Sequence, residues 1–401
     1  MKQSQVSIGR FDVTVIGAGP TGLCFAACLL PTNLTIALVE RQPRNVLECP
    51  SFDGREIALT HASVSRLRSL GIWARVPAAE ISPMKSAHVL NGRSTYFMGL
   101  CHPNGADGDL GYLVSNHVIR RALYESIESH PRVSLFTDET VTGVHVDADA
   151  AHVALAGGRS ASASLVVAAD SRFSRTRASM GIPAFVHDFG RTMVVFRAEH
   201  SRPHRQIARE WFDYGQTVAL LPLNGDRSSV ILTLRNHEIN RLQEMSAEDF
   251  NCEIERRLGQ RFGRIRVISE RFNYPLVTVY PARFTARRYA VIGDAAVGMH
   301  PVTAHGFNLG LRGATTLADA IADAVAHGDD IGSERVLARY DRAHRRATLP
   351  WYIITNGIAR LYTHDAAPVR LARDVLLRLG NSVPPFKKML TTALTNGAPH
   401  H

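Results

Sequence analysis

Residues 12–40 read DVTVIGAGPTGLCFAACLLPTNLTIALVE, and this stretch predicts how the surrounding chain folds. An apolar strand leads into a Gly-x-Gly-x-x-Gly turn at Gly17, Gly19 and Gly22, a helical run follows, and a second apolar strand ends at Glu40. This order predicts a βαβ unit that binds the adenosine diphosphate part of a dinucleotide. The glycines let the backbone approach a pyrophosphate, the N–H groups at the helix start meet the phosphates, and Glu40 accepts hydrogen bonds from the ribose. An ordinary structural glycine turn is the alternative.

The composition is that of a globular chain with room for two domains, or for one domain with a large insertion. The 401 residues are 45% hydrophobic and 20% charged, and the formal net charge is +10. The arginines are scattered without runs of five or six, which argues against nucleic-acid binding. The five cysteines show no zinc spacing, so no metal site is expected, and they indicate a reducing compartment. No secretory signal or run of about 20 apolar residues is visible, so we expect a cytoplasmic protein.

Three separated strands end at carboxylates, namely Glu40, Asp170 and Asp294. In a doubly wound sheet, ligands bind beyond the carboxyl ends of the strands, so all three side chains are expected at one bound molecule. A nicotinamide dehydrogenase normally completes its cofactor site within one contiguous domain. Here a second glycine-rich turn, from Gly293 to Asn308, follows about 250 residues after the first. A longer cofactor with a second end to hold explains this spacing better, and we therefore predict FAD.

The hydrophobic period divides the chain into segments. Between about residues 185 and 280 the period changes to two, which predicts an antiparallel sheet. We therefore expect an α/β fold, with a Rossmann-like FAD-binding domain, an inserted antiparallel β-sheet substrate domain and a helical C-terminal region that Pro350 and later prolines break. The expected segments are 1–75, 116–184 and 283–345 for the FAD-binding domain, 76–115 and 185–282 for the substrate domain, and 346–401 for the C-terminal region.

The motifs resemble those of the single-component FAD aromatic hydroxylases, and within them the ubiquinone-biosynthesis hydroxylases of the UbiH/UbiF/VisC type. The resemblance extends from residue 12 to about 325, and the wording DGREIALTH at 53–61 and VGMHPVTAHGFN at 297–308 is most similar to the bacterial branch called UbiM. Two positions depart from the family pattern. Ser171 stands where the family usually has Gly after Asp170, and His305 stands where Gln is more common.

The resemblance implies roles for individual residues in binding FAD. Surface charge is the alternative for Arg55 and Arg120, and capping of the next segment is the alternative for Asp170. The implied residues are Gly17, Gly19, Gly22, Glu40 and Arg41 at the adenosine half, Arg55 and Arg120 near the flavin and pyrophosphate, Asp170 and Asp294 at the strand ends, and Gly306, Phe307 and Asn308 against the flavin ring. The helix that starts near Asn308 supplies N–H donors where reduced flavin carries negative charge.

The catalytic and substrate-binding residues are less constrained by the sequence. His300 and His305 are candidates for a base that helps to deprotonate a phenol, and ordering of the loop is the alternative role for both. Trp211, Phe212, Tyr214 and Pro301 are candidates to line a substrate pocket over the flavin, and packing in the core is the alternative for the aromatic residues.

The resemblance implies an FAD-dependent monooxygenase that hydroxylates the ring of a polyprenylated phenol in ubiquinone biosynthesis, through a flavin hydroperoxide. NADH or NADPH acts as a transient reductant and O2 is consumed. A monooxygenase or reductase acting on another aromatic or isoprenoid molecule is an alternative, as is a non-catalytic flavin-binding partner. A prenyl tail favours a location peripheral to the inner membrane, through contact with anionic lipid or with other quinone-biosynthesis enzymes. The basic residues suited to such contact are Arg360, Arg370, Arg373, Arg378, Lys387 and Lys388.

Overall fold

The computed structural model describes residues 6–92, 96–102, 108–213, 215–259 and 261–363. Within those residues the strands are Val6–Ile16 (β1), Ile36–Val39 (β2), Glu56–Leu59 (β3), Ser82–Met84 (β4), Ser86–Asn91 (β5), Phe97–Cys101 (β6), Gly111–Ser115 (β7), Val133–Phe136 (β8), Val141–Val146 (β9), Ala151–Leu155 (β10), Arg159–Ala168 (β11), Ala184–His200 (β12), Ile207–Asp213 (β13), Gln216–Pro222 (β14), Arg227–Arg235 (β15), Ile265–Val267 (β16), Phe272–Pro281 (β17), Thr285–Ala286 (β18) and Tyr289–Val291 (β19). The helices are Pro20–Leu29 (α1), Arg44–Glu48 (α2), His61–Ser69 (α3), Asn116–Ile127 (α4), Arg175–Ser179 (α5), Asn236–Glu244 (α6), Ala247–Leu258 (α7), Gly306–His327 (α8) and Glu334–Thr363 (α9).

A mostly parallel sheet forms the first layer, with the strand order β18-β19-β11-β1-β2-β8. The strands from β19 to β8 are parallel, and β9 and β10 extend the sheet antiparallel beside β11. Their near-continuous apolar runs are explained by burial on both faces, since α1 packs between α4 and α8 against the sheet. Because these strands are parallel, the ends of β1, β2, β11 and β19 lie at one edge of the sheet. The predicted α/β class with a Rossmann-like sheet is confirmed.

A second sheet is built largely from the segment with period two. Its order is β16-β12-β15-β14-β13-β5-β6, and β17 pairs with β12. Strands β5 and β6 come from much earlier in the chain, and β5 joins β13 in parallel. One face packs on α6 and α7 through a buried cluster that includes Val194, Phe196, Leu232, Phe250 and Ile254. The other face is turned toward the cofactor-binding part of the molecule.

A small sheet of β3, β7 and β4 lies between the two larger sheets. Strand β17 joins the second sheet to the first layer, since Val279 forms an isolated antiparallel bridge with Gly298. The side chain of Arg197 on β12 reaches back to Glu56 of β3, with an ion-pair distance of 2.7 Å. These contacts fix the second sheet above the edge where the parallel strands end.

The last described helix corrects one expectation. Helix α9 extends from Glu334 to Thr363 and includes Pro350, so this proline does not end the helix. A proline inside a helix removes one backbone hydrogen bond and usually kinks or ends the helix. Here Trp351 and Tyr352 directly after it are buried against the rest of the protein, and Thr348 and Thr355 are fully buried. The residues after 363 lie outside the described part, and no helix within that part is long and apolar enough to cross a membrane.

Candidate cofactor and substrate site

The turn after β1 has no space for side chains. Gly17 has φ +103°, and a Cβ there would lie 2.6 Å from the carbonyl oxygen of Ala169. A Cβ on Gly22 would lie 2.0 Å from the carbonyl oxygen of Gly17, so α1 packs directly on the turn. A Cβ on Gly19 would meet nothing within 4 Å, and α1 starts at this N-cap without a capping side chain. The first N–H groups of α1 therefore point into open space, as a phosphate site requires.

Glu40 lies at the end of β2 beside this turn and is only 9% exposed. Its Oε2 accepts a hydrogen bond from Ala18 N at 2.7 Å, and its Oε1 accepts one from Gln42 N at 3.0 Å. A carboxylate has about four acceptor positions, so two remain after these bonds. Glu40 thus holds the shape of the turn and still offers acceptors for ribose hydroxyls. Arg41, the next residue, is exposed.

Two arginines meet near the same edge. Arg55 forms an ion pair with Asp53, with 2.6 Å between Nη2 and Oδ2, and Arg120 donates from Nη2 to Gln42 Oε1 at 3.2 Å. Burial lowers the pKa of Arg120, and the nearby charge of Arg55 lowers it further, whereas the charges of Asp53 and Glu40 act in the opposite direction. An exposed Arg55 and a half-buried Arg120, with the Asp53 carboxylate paired to the first, suit an anionic ligand such as a pyrophosphate.

The structure brings the other two strand ends against the first turn. The Cα of Asp170 lies 3.1 Å from the position of a Cβ on Gly17. A Cβ on Gly293 would lie 2.8 Å from Thr21 Oγ1, and a Cβ on Gly310 would lie 3.1 Å from the same atom. Segments more than 250 residues apart therefore meet at the start of α1, as the sequence predicts.

Asp170 contacts the segment that follows it, although the N-cap of α5 is Ser174. Its Oδ2 accepts hydrogen bonds from Ser174 Oγ at 2.9 Å and from Thr176 Oγ1 at 3.1 Å. Its Oδ1 accepts one from the N–H of Ser171 at 3.2 Å. The side chain is thus held by the segment that starts α5, next to the turn at Gly17.

Asp294 remains half-exposed at the end of β19. Its Oδ2 accepts a hydrogen bond from Arg172 Nη2 at 2.7 Å. Arg172 also donates to the carbonyl oxygen of Val277 at 2.9 Å, and buried Arg177 donates to that of Ala295 at 2.7 Å. Arg172 therefore joins the end of β19 to β17, and Arg177 joins α5 to the turn after β19. Neither arginine is among the residues predicted from the sequence, although their position shortly after the Asp170 strand is a signal that could mark them.

The glycine-rich loop after Asp294 ends at the start of α8. A Cβ on Gly306 would meet nothing within 4 Å, so the helix start faces open space there too. Phe307 is half-buried against the main core. The N–H groups at the start of a 22-residue helix have no intrahelical acceptors and lie at its positive end.

Asn308 fixes this helix start through its side chain. Its Oδ1 accepts hydrogen bonds from Thr60 N at 3.1 Å and Ser63 Oγ at 2.7 Å. Its Nδ2 donates to the carbonyl oxygens of Ala58 at 2.8 Å and Ala304 at 3.2 Å. The side chain, rather than the backbone on which the sequence analysis placed its role, therefore connects α8 to β3 and α3.

The two candidate histidines lie in different surroundings. His300 accepts a hydrogen bond from Val302 N at its Nδ1, packs edge-on against Phe189, and burial lowers its pKa to about 4. His305 is 3% exposed, and its ring stacks on that of Trp351 with centroids 4.8 Å apart. Both contacts are those of residues that order the loop, the alternative that the sequence left open. Pro301 begins a short 3-10 turn and is exposed.

The candidate pocket residues on β13 separate onto opposite faces, because neighbouring side chains in a strand alternate. Trp211 lies in the buried cluster under α6 and α7, with its ring 6.0 Å from that of Phe262, which fits the core-packing alternative. Phe212 points to the other face, on which Ala208 packs with Met84. Tyr214 lies outside the described residues. Of the two described aromatic candidates, Trp211 and Phe212, only Phe212 faces the cofactor-binding part.

The residues present fit a long dinucleotide. Two helix starts without filling side chains, one on α1 and one on α8, lie at the edge where three strand ends meet. An arginine pair and a ribose-suited glutamate stand beside the first of them. Such an arrangement holds phosphates at one end and an electron-rich ring system at the other.

Comparisons with known proteins agree with this geometry. The sequence profile of a family described as FAD binding domain matches residues 10–355. The chain is 45% identical over 388 residues to ubiquinone hydroxylase UbiM of Neisseria meningitidis, which covers 96% of this chain and 84% of the relative. It is 33% identical over 378 residues to ubiquinone hydroxylase UbiL of Rhodospirillum rubrum, which covers 94% of this chain and 88% of that protein.

A solved structure shows a similar fold. The p-nitrophenol 4-monooxygenase PnpA of Pseudomonas putida superposes with a TM-score of 0.76, covering 98% of this chain and 100% of that chain. The two sequences are 18% identical, so the likeness concerns the fold alone.

Proposed function

The chain belongs to the FAD-binding family of ubiquinone hydroxylases, and we propose from this that it hydroxylates the aromatic ring of a polyprenylated phenol in ubiquinone biosynthesis. The reaction uses O2 and NADH or NADPH. One observation supports this most directly: the turn at Gly17, the strand ends at Asp170 and Gly293 and the helix α8 meet at the start of α1, and the face of the second sheet opposite α6 and α7 is turned toward this part of the molecule.

FAD is the cofactor, and when bound it supplies the redox chemistry that moves electrons from the nicotinamide to O2. The chain's own residues bind and orient. We assign the adenosine half to Gly17, Gly19, Gly22, Glu40 and Arg41, the pyrophosphate and flavin surroundings to Arg55, Arg120, Asp170 and Asp294, and the ring contact to Gly306, Phe307 and Asn308.

The substrate ring is assigned to the space between the second sheet and the loop that holds Pro301. Phe212 offers an apolar wall there, and the positive end of α8 would stabilise negative charge on a bound flavin. The sheet and the loop together exclude water, which protects a reactive oxidant from side reactions. We propose that His300 and His305 order this loop.

The proposal is tested with 18O2 and a prenylated phenol. We expect purified holoenzyme with NADH or NADPH to place one labelled oxygen atom in the ring hydroxyl of the product, as detected by mass spectrometry. A product without label, formed with NAD(P)H oxidation, would identify a reductase or oxidase instead. Complementation of bacterial strains that each lack one ring hydroxylase then assigns the ring position, and rescue of none would contradict the pathway.

We further propose that the protein contacts an anionic membrane surface through α9. The exposed side of this helix carries Leu349 and Ile353 in its middle and Arg342, Arg346 and Arg360 on either side of them. Phe185, which is 58% exposed, lines the same groove as Leu349 and Ile353. Apolar side chains flanked by arginines suit insertion at a lipid headgroup layer, where a prenylated substrate is found.

A further inference from the structure

Glu210 occupies an apolar row in the middle of the second sheet. Strand pairing places it beside Ala219 of β14 on one side and Val89 of β5 on the other. The row continues through Ile231 to Val195. A carboxylate in such surroundings is costly unless a partner or a function compensates for it.

The side chain points toward the cofactor-binding part of the molecule. Alternation along β13 puts Glu210 on the face of Phe212 and opposite that of Trp211. The row next to it carries Arg197, whose side chain reaches Glu56 and Ser115 on the small sheet. The row of Glu210 itself ends, on β17, at Phe272, which packs against Gly54 of the Asp53-Gly54-Arg55 motif. Glu210 therefore faces the space between the two sheets.

Within the described residues, the carboxyl group of Glu210 has no hydrogen-bond or ion-pair partner. It keeps some accessible surface, yet burial raises its pKa to about 8. Because strand alternation turns Glu210 toward the cofactor-binding part, its accessible surface faces the space between the two sheets. Such an unpaired carboxyl group in a cleft is a marker of a functional site.

We propose that Glu210 is a catalytic residue that contacts the ring hydroxyl of the substrate and accepts its proton. This inference rests on the proposed function, because it requires a phenol in the space between the sheet and the flavin loop. In the step, the phenolic O–H bond breaks, its electron pair stays on the ring oxygen, and the proton forms an O–H bond with the Glu210 carboxylate. The resulting phenolate ring is more electron-rich and reacts faster with an electrophilic oxygen.

The raised pKa makes Glu210 a better base than His300 in the flavin loop. A phenol has a pKa of about 10, so a base near 8 takes its proton far more readily than an ordinary carboxylate near 4.5. His300, whose pKa burial lowers to about 4, is a weaker base. The charged and titratable groups on the neighbouring rows of this face are Arg197, which pairs with Glu56, and Tyr274, whose hydroxyl donates to the Asp53 carbonyl oxygen. None of them contributes to the raised pKa of Glu210, whose cause is burial alone.

The test compares 2-prenylphenol with its methyl ether, which carries a methyl group in place of the hydroxyl hydrogen and therefore cannot donate a hydrogen bond. Their affinity for oxidised holoenzyme is measured by flavin fluorescence between pH 6 and pH 9.5, without turnover. The phenol donates to a carboxylate, so we expect it to bind several-fold more tightly as pH rises through about 8. The ether can only accept from the protonated carboxyl group, so its binding should weaken several-fold over the same range. Glu210→Gln should remove both trends, whereas Glu248→Gln, the same change on the exposed side of α7, should keep them.

Turnover gives the second readout. We expect the hydroxylation rate of the wild type to rise through about pH 8, and Glu210→Gln to lose at least tenfold in rate together with this pH dependence. Pure packing by Glu210 would leave the pH dependence unchanged in the Gln variant, and that result, or pH-independent binding of both probes to the wild type, would overturn the inference. If binding of the phenol strengthens and binding of the ether weakens with pH, as expected, but no 18O enters the product, the proposed function fails and the role of Glu210 as a proton acceptor stands.

Discussion

A single side chain, Glu210, is maintained at a cost to stability. Its pKa is about 8 in the folded protein, whereas a carboxyl group in an unfolded chain titrates near 4.5. Between these two values the folded state holds a proton that the unfolded state has lost, so the free energy of unfolding falls as pH rises through this window. The Glu210 contribution is fully present below pH 4.5 and is lost progressively up to about pH 8. A sequence that retains such a group gains something other than stability from it.

We predict from this that Glu210→Gln stabilises the protein in a pH-dependent way. The variant and the wild type should have similar melting temperatures at pH 5, where the Glu210 carboxyl group is protonated in the folded state. At pH 8.5 the Gln variant should melt several degrees higher, because the difference in unfolding free energy grows to a few kcal/mol. Differential scanning fluorimetry across this range measures the effect. Glu248→Gln is the control, and its melting temperature should differ from that of the wild type by the same amount at every pH. If the melting temperatures of the wild type and of Glu210→Gln changed with pH in the same way, the carboxyl group would be in contact with water.

At the scale of elements, the start of α8 depends on one side chain. Asn308 forms four hydrogen bonds that connect α8 to β3, to α3 and to the loop before the helix. The helix start is also where the flavin ring is assigned. The orientation of α8 and the shape of the proposed flavin site are therefore coupled through this amide.

We predict that Asn308→Ala lowers FAD retention at least tenfold and lowers the melting temperature. Removing the amide leaves Thr60 N and the Ala58 carbonyl oxygen buried without these partners, and each such loss costs about 1–3 kcal/mol. The ratio of flavin to protein absorbance after gel filtration measures retention. Thr316→Ala is the matched control, because this hydroxyl bonds to the Arg312 carbonyl oxygen within the same helix. Full flavin content in Asn308→Ala would separate the amide from the cofactor site.

The elements also show which features a sequence can predict. The runs at Val13–Ile16 and Ile36–Val39 are buried on both faces and are apolar except for Thr14. Two such runs with a glycine turn between them favour a βαβ unit strongly. For β13, a period of two predicts alternation but does not say which face meets the core. The pattern alone therefore does not separate Trp211 from Phe212, although they lie on opposite faces. A proline in a helical stretch predicts a helix end, whereas the burial of Trp351 and Tyr352 that stabilises α9 around Pro350 is tertiary.

At the scale of the whole molecule, the parallel sheet and the second sheet are predictable to different degrees. Carboxyl ends of parallel strands share an edge, so the meeting of Glu40, Asp170 and Asp294 followed from the strand assignments alone. The joining of β5 to β13, about 120 residues apart, depends on packing between distant segments and has no local signal. For the same reason the enclosed position of Glu210 between the sheets could not be read from its neighbours in sequence.

The exposed side of α9 gives the last prediction at this scale. With a net charge of +10, the protein is attracted to anionic surfaces in general, so the apolar centre at Leu349 and Ile353 must be tested separately from charge. We expect the wild type to float with vesicles of phosphatidylcholine containing phosphatidylglycerol, and to float less in high salt. Ile353→Asp should reduce the floated fraction several-fold, since Ile353 is 61% exposed and a carboxylate there is repelled by anionic lipid.

Val6→Asp, at a position that is 66% exposed at the start of β1, adds the same charge elsewhere and should float like the wild type. Equal loss in both variants would show that net charge alone governs binding, and equal flotation of all three proteins would contradict the assignment of α9 to the membrane surface.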